Sequence, residues 1–237
     1  MTSEDAFLEF VKRGDASAVE SMLQTDPNLP HYAGDYAKTG LHWAAEKDEV
    51  EVARILIDAG ADIEAKTTWN ATPLEWAATM GSSRVADLLL SRGAKKFTFI
   101  VAAALGKLEE VKSRIESGDD LSSELGDETL STDDHWPADS ARIQGDILSH
   151  ALYSAARNGH TKVVDYLLSQ GAAIDAKGVF GGTGLHWAAI NGHSDTVDFL
   201  IQHGASRTIR DERFEATPEG WAKEGGHSNI ADRLRNV

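Results

Sequence analysis

Thr39-Gly40-Leu41-His42-Trp43-Ala44-Ala45 returns as Thr72-Pro73-Leu74-Glu75-Trp76-Ala77-Ala78 and as Thr183-Gly184-Leu185-His186-Trp187-Ala188-Ala189. A worn copy follows at Thr217-Pro218-Glu219-Gly220-Trp221-Ala222-Lys223. The interval is 33 residues from Thr39 to Thr72 and 34 from Thr183 to Thr217. A period of this length marks a solenoid, in which each unit buries its apolar face against its neighbours, rather than one globular core. The rest of the unit recurs as well: Gly60-Ala61-Asp62-Ile63-Glu64-Ala65-Lys66 corresponds to Gly171-Ala172-Ala173-Ile174-Asp175-Ala176-Lys177, and Gly-His stands at 159–160, 192–193 and 226–227.

Each Thr is placed to cap a helix by accepting amide protons of the first turn, and Pro73 and Pro218 preset φ at the next position. At 100° per residue Leu41, Ala44 and Ala45 share one stripe, while Trp43 falls nearly opposite it. Trp76, Trp187 and Trp221 fall likewise.

These residues together resemble the ankyrin repeat. The resemblance implies an all-α solenoid of helix–loop–helix units joined by β-hairpin fingers. About seven units can be laid out, at 6–23, 39–60, 72–93, 97–118, 149–171, 183–204 and 217–237. Residues 1–93 read as a first array, a cap plus two repeats. Residues 94–120 read as a cap-like repeat whose finger is essentially missing, since only Ala94-Lys95-Lys96 precedes it. Residues 149–237 read as a second array of three repeats with a charged end cap. Between them, 121–148 is a non-repeat insert with seven acids against Arg142 alone, and it also holds His135, Trp136 and Pro137. A loop of that length is functional or disordered.

Bulk properties narrow the function. The net charge of −15 disfavours nucleic acid and anionic membrane surfaces, which need clustered Lys and Arg. No apolar run approaches the roughly 18 residues of a membrane span. Met1-Thr2-Ser3-Glu4-Asp5 lacks a basic region leading into an apolar stretch, so a cytoplasmic protein, and a monomer, is expected. The absence of cysteine excludes disulfides and thiolate chemistry. None of the nine histidines are spaced i, i+4, so no metal or cofactor is expected. The resemblance implies instead that His42 and His186 tie one repeat's loop to the next, and the Gly-His pairs read as structural.

The aromatics carry the functional expectation. In the resemblance, Trp43, Trp76, Trp187 and Trp221 face the concave groove, and a second series, Tyr36, Trp69, Phe180 and Phe214, precedes each Thr near the finger tips. Two such rows left in water form an apolar patch of the kind that marks interaction sites. Alternatively, each fingertip ring folds onto its neighbour's indole and seals the groove. Aligning the weaker units puts Val101 and Ser154 where the indole stands elsewhere, leaving a gap in the row. Two functions follow. The first is a non-catalytic scaffold that holds a protein or peptide in an aromatic concave groove. The second is a site for a small aromatic or cationic ligand at the gap, with Trp76 and Trp187 as walls, Val101 and Ser154 as floor and the insert with Trp136 as lid. In a catalytic version of the second, Asp133, Asp134, His135 and Tyr153 are the proton-transfer candidates of an isomerase, lyase or cyclase.

Overall fold

A computed structural model describes residues 2–95, 97–118, 121 and 147–235. The chain divides into two compact units, Met1–Phe97 and Thr98–Val237. The first holds helices α1 (Ser3–Lys12), α2 (Ala16–Thr25), α3 (Gly40–Lys47), α4 (Val50–Asp58), α5 (Pro73–Met80) and α6 (Ser83–Ser91). The second holds α7 (Phe99–Ala104), α8 (Leu108–Glu116), α9 (Ile147–Arg157), α10 (Thr161–Ser169), α11 (Gly184–Ile190), α12 (Ser194–Gln202), α13 (Pro218–Glu224) and α14 (Ser228–Arg235).

Each pair forms for the same local reasons. Thr39, Thr72, Thr183 and Thr217 take the extended cap conformation ahead of the first helix. Leu41, Ala44 and Ala45 are fully buried, as the stripe predicts, against Val52, Ala53 and Leu56 of the second helix. Truncating one such leucine costs about 2–5 kcal/mol, the transfer term plus a cavity. A left-handed residue then turns the chain between the two helices, Asp48 at φ 55° and Gly81 at φ 75°.

One backbone hydrogen bond sets the register of the first helix throughout. Glu49 N–H donates to the Ala44 carbonyl, Ser82 to Ala77, Lys107 to Ala102, His160 to Ala155, His193 to Ala188 and His227 to Ala222. Counting from it, Val101 and Ser154 stand where Trp43, Trp76, Trp187 and Trp221 stand. Thr98 caps α7, its Oγ1 accepting from Val101 N–H at 3.2 Å. It lies one residue closer to the register bond than the other threonines, so α7 is shorter at its start. α9 begins at Ile147, two residues before the expected unit, because Ile147 and Ser149 are buried and Ser149 Oγ accepts from Ala173 N–H at 2.8 Å.

First helices stack on first helices: α1 on α3 and α3 on α5 in the first unit, α7 on α9, α9 on α11 and α11 on α13 in the second. The insert thus interrupts the sequence between α8 and α9 without interrupting the stacking of α7 on α9. The fingers are tight turns. Antiparallel bridges join Ala33 to Thr39 and Lys177 to Thr183, and there is no longer strand among the described residues. Neighbouring finger tips are joined by Thr68 N–H to the Tyr36 carbonyl at 2.9 Å and Glu212 N–H to the Phe180 carbonyl at 2.7 Å. Among the described residues no helix is long and apolar enough to cross a membrane.

Candidate functional site

The histidines implied as loop ties are ties. His42 Nδ1 accepts from Thr39 N–H at 3.2 Å, and Nε2 lies 3.0 Å from the Ala71 carbonyl of the next finger. A carbonyl can only accept, so Nε2 carries the proton and the ring is neutral. Burial is the main cause that pushes His42 down to about 4, against the Ala71 bond and with the charge of Lys38. His186 repeats the arrangement with Thr183 at 3.0 Å and Ala216 at 3.3 Å, and burial lowers it too. The ring of His160 lies over Gly106, where a Cβ would come within 2.6 Å of it at φ 70°. These imidazoles serve packing, and neither a base nor a metal ligand is required to explain them.

The aromatic rows do not stand open. Trp69, Trp76, Trp187 and Trp221 are only 5–9% exposed, and Trp43 is half-buried. An indole turned away from the helix stripe still finds cover, because the finger before it and the indole beside it lie within stacking distance. In the first unit Tyr36 stacks on Trp69 at 4.9 Å and Trp69 on Trp76 at 5.6 Å. Lys38 Nζ then sits 4.3 Å from the Trp76 ring and 3.9 Å from Trp43, whose ring also lies 4.5 Å from Lys12 Nζ. Glu46 Oε2 closes the group, 2.7 Å from Lys38 Nζ and accepting the Trp76 indole N–H at 3.3 Å. The cation expected of a ligand is the chain's own lysine.

The second unit fills the same positions without a lysine. Phe180 stacks on Trp187 at 6.4 Å, and Trp187 meets Trp221 edge-on at 5.0 Å. Tyr153 meets Trp187 edge-on at 6.3 Å and is buried with both indoles, its ring against Gly178. It is enclosed among core aromatics. Val101 is buried and Ser154 half-buried. Asp133, Asp134, His135 and Trp136 lie outside the described residues, as does nearly all of 121–148.

What remains exposed is at the finger tips. Tyr36 is 37% and Phe214 63% exposed, while Phe180 is half-buried with Phe214 edge-on to it at 6.1 Å. The finger bearing Phe214 is built around Asp211, which the sequence reading passed over. Asp211 Oδ1 accepts from Arg213 N–H at 2.9 Å and Phe214 N–H at 2.6 Å; Oδ2 accepts from Ala216 N–H at 2.9 Å and the Trp221 indole at 3.0 Å. Burial works to raise this carboxyl, but the four N–H donors outweigh it and hold it below its ordinary value. Asp211 itself, a residue type whose side chain readily bonds its own backbone two residues on, is the one sequence signal that points to such a finger.

An ankyrin-repeat family model matches in three overlapping copies, at residues 7–100, 99–211 and 152–236. Serine/threonine-protein kinase VIK of Arabidopsis thaliana is 39% identical over 82 residues, 34% of this chain and 18% of that protein. The 26S proteasome non-ATPase regulatory subunit 10 of Dictyostelium discoideum is 33% identical over 96 residues, 39% of this chain and 40% of that one. Probable E3 ubiquitin-protein ligase XBOS31 of Oryza sativa subsp. japonica is 32% identical over 99 residues, 41% of this chain and 22% of the ligase. In each case less than half of the relative's length is matched. The solved ankyrin repeat domain of human ASB11 is similar over 98% of both chains, with a TM-score of 0.49 and 20% identity. With the repeated Thr caps, the histidine ties and a family model spanning nearly the whole sequence, the chain belongs to the ankyrin-repeat family.

Proposed function

We propose that this chain is a non-catalytic scaffold that binds a protein or peptide through its aromatic finger tips, with 1–93 and 149–237 as its two arrays. Ankyrin repeats generally mediate binding between proteins, and the similar segments of a proteasome subunit and a ubiquitin ligase fit that use. The observation that carries the reading is Phe214, a large apolar side chain left 63% exposed although every indole nearby has found cover. Tyr36 is its counterpart in the first unit. In this reading Trp43, Trp69, Trp76, Trp187 and Trp221 are the rigid backing of the surface, and Tyr36, Phe180 and Phe214 are what a partner touches. The small-molecule reading rests its polar groups on residues outside the described ones and has no comparable observation behind it.

The test is a peptide-display selection on the whole chain, followed by affinity measurements on the selected peptides. Phe214→Ala, which removes a ring mostly in water, is expected to leave the fold intact, and unfolding of Tyr36→Ala is measured beside it because Tyr36 also stacks on Trp69. A ring at an interface centre is worth about 2 kcal/mol, so a loss of roughly 30-fold is expected from one substitution or the other. Peptides bound equally well by both variants and by the parent contradict the reading.

A further inference from the structure

Resting on that reading, we propose that Arg213 gives the finger-tip surface its chemical selectivity: the segment it binds carries a carboxylate close to a large apolar side chain. Four features of the finger point this way. The Arg213 guanidinium lies 4.8 Å from the Phe180 ring and 5.3 Å from the Phe214 ring, in cation–π range of both. Its side chain is exposed and makes no ion pair or hydrogen bond among the described residues.

None of the nearby acids pairs with Arg213 among the described residues. Asp211 is consumed by its four N–H donors, and Glu212 pairs with Lys177 at 3.1 Å. Glu215 is exposed, and its carboxylate forms no ion pair with Arg213 among the described residues. The backbone is also fixed in advance, because one buried oxygen of Asp211 takes the N–H of both Arg213 and Phe214. Glu215, the residue after Phe214, holds a left-handed φ of 52° that a non-glycine residue adopts only under constraint. An arginine already resting against two rings loses less freedom on binding than a free one, and its planar fork matches a carboxylate with two parallel bonds. The charge of −15 on the whole chain opposes an acidic partner at long range. Physiological salt screens that field beyond about 8 Å, leaving the contact itself to decide.

Peptides selected on the whole chain, and shown to depend on Phe214, are remade with each Glu or Asp changed to Gln or Asn. The parent and Arg213→Gln proteins are compared on each. One acidic position is expected whose change weakens binding 5- to 20-fold on the parent and not on Arg213→Gln. Arg213→Lys should recover only part of the affinity, since an ammonium has neither the fork nor the stacking plane. If Phe214-dependent peptides bind Arg213→Gln as tightly as the parent, the carboxylate inference is wrong and the finger-tip surface still stands. If the selected peptides depend on Tyr36 but not on Phe214, the Arg213 inference alone falls; if they depend on neither ring, both fall together.

Discussion

Lys38 shows how much a single side chain decides in this fold. It stands between the rings of Trp43 and Trp76 because Glu46, three residues after Trp43, supplies its counter-charge. The corresponding positions in the second unit are Gly182 and Ile190; there Trp187 and Trp221 touch directly and Ile190 packs against them. The Lys38–Glu46 pair is mostly shielded from water, so removing one partner strands the other. Lys38→Met is expected to cost about 2 kcal/mol in urea unfolding, and Lys38→Met with Glu46→Met clearly less than the sum of the two single changes. Additive effects would mean that the pair contributes nothing beyond its separate contacts. Trp76 and Trp221 donate their indole N–H to Glu46 and Asp211, whereas those of Trp43, Trp69 and Trp187 are buried without an acceptor among the described residues.

At the scale of elements, the fingers differ more than the helices do. The helices share one register bond and one alanine-rich stripe, so their geometry repeats even where α7 starts a residue late. The fingers are held individually. Thr67 Oγ1 takes the N–H of Trp69 and Ala71, a lighter version of what Asp211 does with four donors. Asp211→Asn keeps one accepting oxygen and turns an amide NH2 toward two N–H groups, or leaves them unpaired. A loss of about 2–3 kcal/mol is expected, since bonds to an ionised acceptor are the stronger kind. Hydrogen exchange should localise it, with the amides of Arg213, Phe214 and Ala216 exchanging faster while α11 and α12 keep their protection. Unchanged exchange at those amides would remove Asp211 as the organiser of the finger.

For the whole molecule, the shared feature is a set of histidines held neutral. His42 and His150 are pushed down to about 4, and His160, His186 and His193 are lowered as well, burial being the largest cause each time. The unfolded chain takes up these protons near pH 6.5, while the folded chain resists until lower pH. Their contribution to stability is therefore complete above about 6.5 and is lost as pH falls toward 4. For His42 alone the span corresponds to about 3 kcal/mol. Urea midpoints should fall from pH 7 to pH 5, although most carboxylates remain charged at both. The second unit, which holds four of these five histidines, should show the larger change. A midpoint that stays or rises at pH 5 contradicts this.

The repeat period, the Thr caps, the Leu41-Ala44-Ala45 stripe and the register of Val101 and Ser154 were all legible in the chain. Each depends on residues close in sequence and on one helical period, and the same pattern is written several times over. The cover of the indoles was legible only as one of two alternatives, and the parts played by Lys38 and Glu46 in it were not. Helical periodicity places Trp43 off the stripe but cannot say what lies beyond the helix. Tyr36, Lys38 and Glu46 come together there only when a finger folds over its own repeat and the next. The same limit hid Asp211, whose four donors span 213 to 221, and made Phe214 look like one ring among eight. Local rules determine which surface each helix buries; only the packing of fingers against neighbouring repeats decides which ring is left in water.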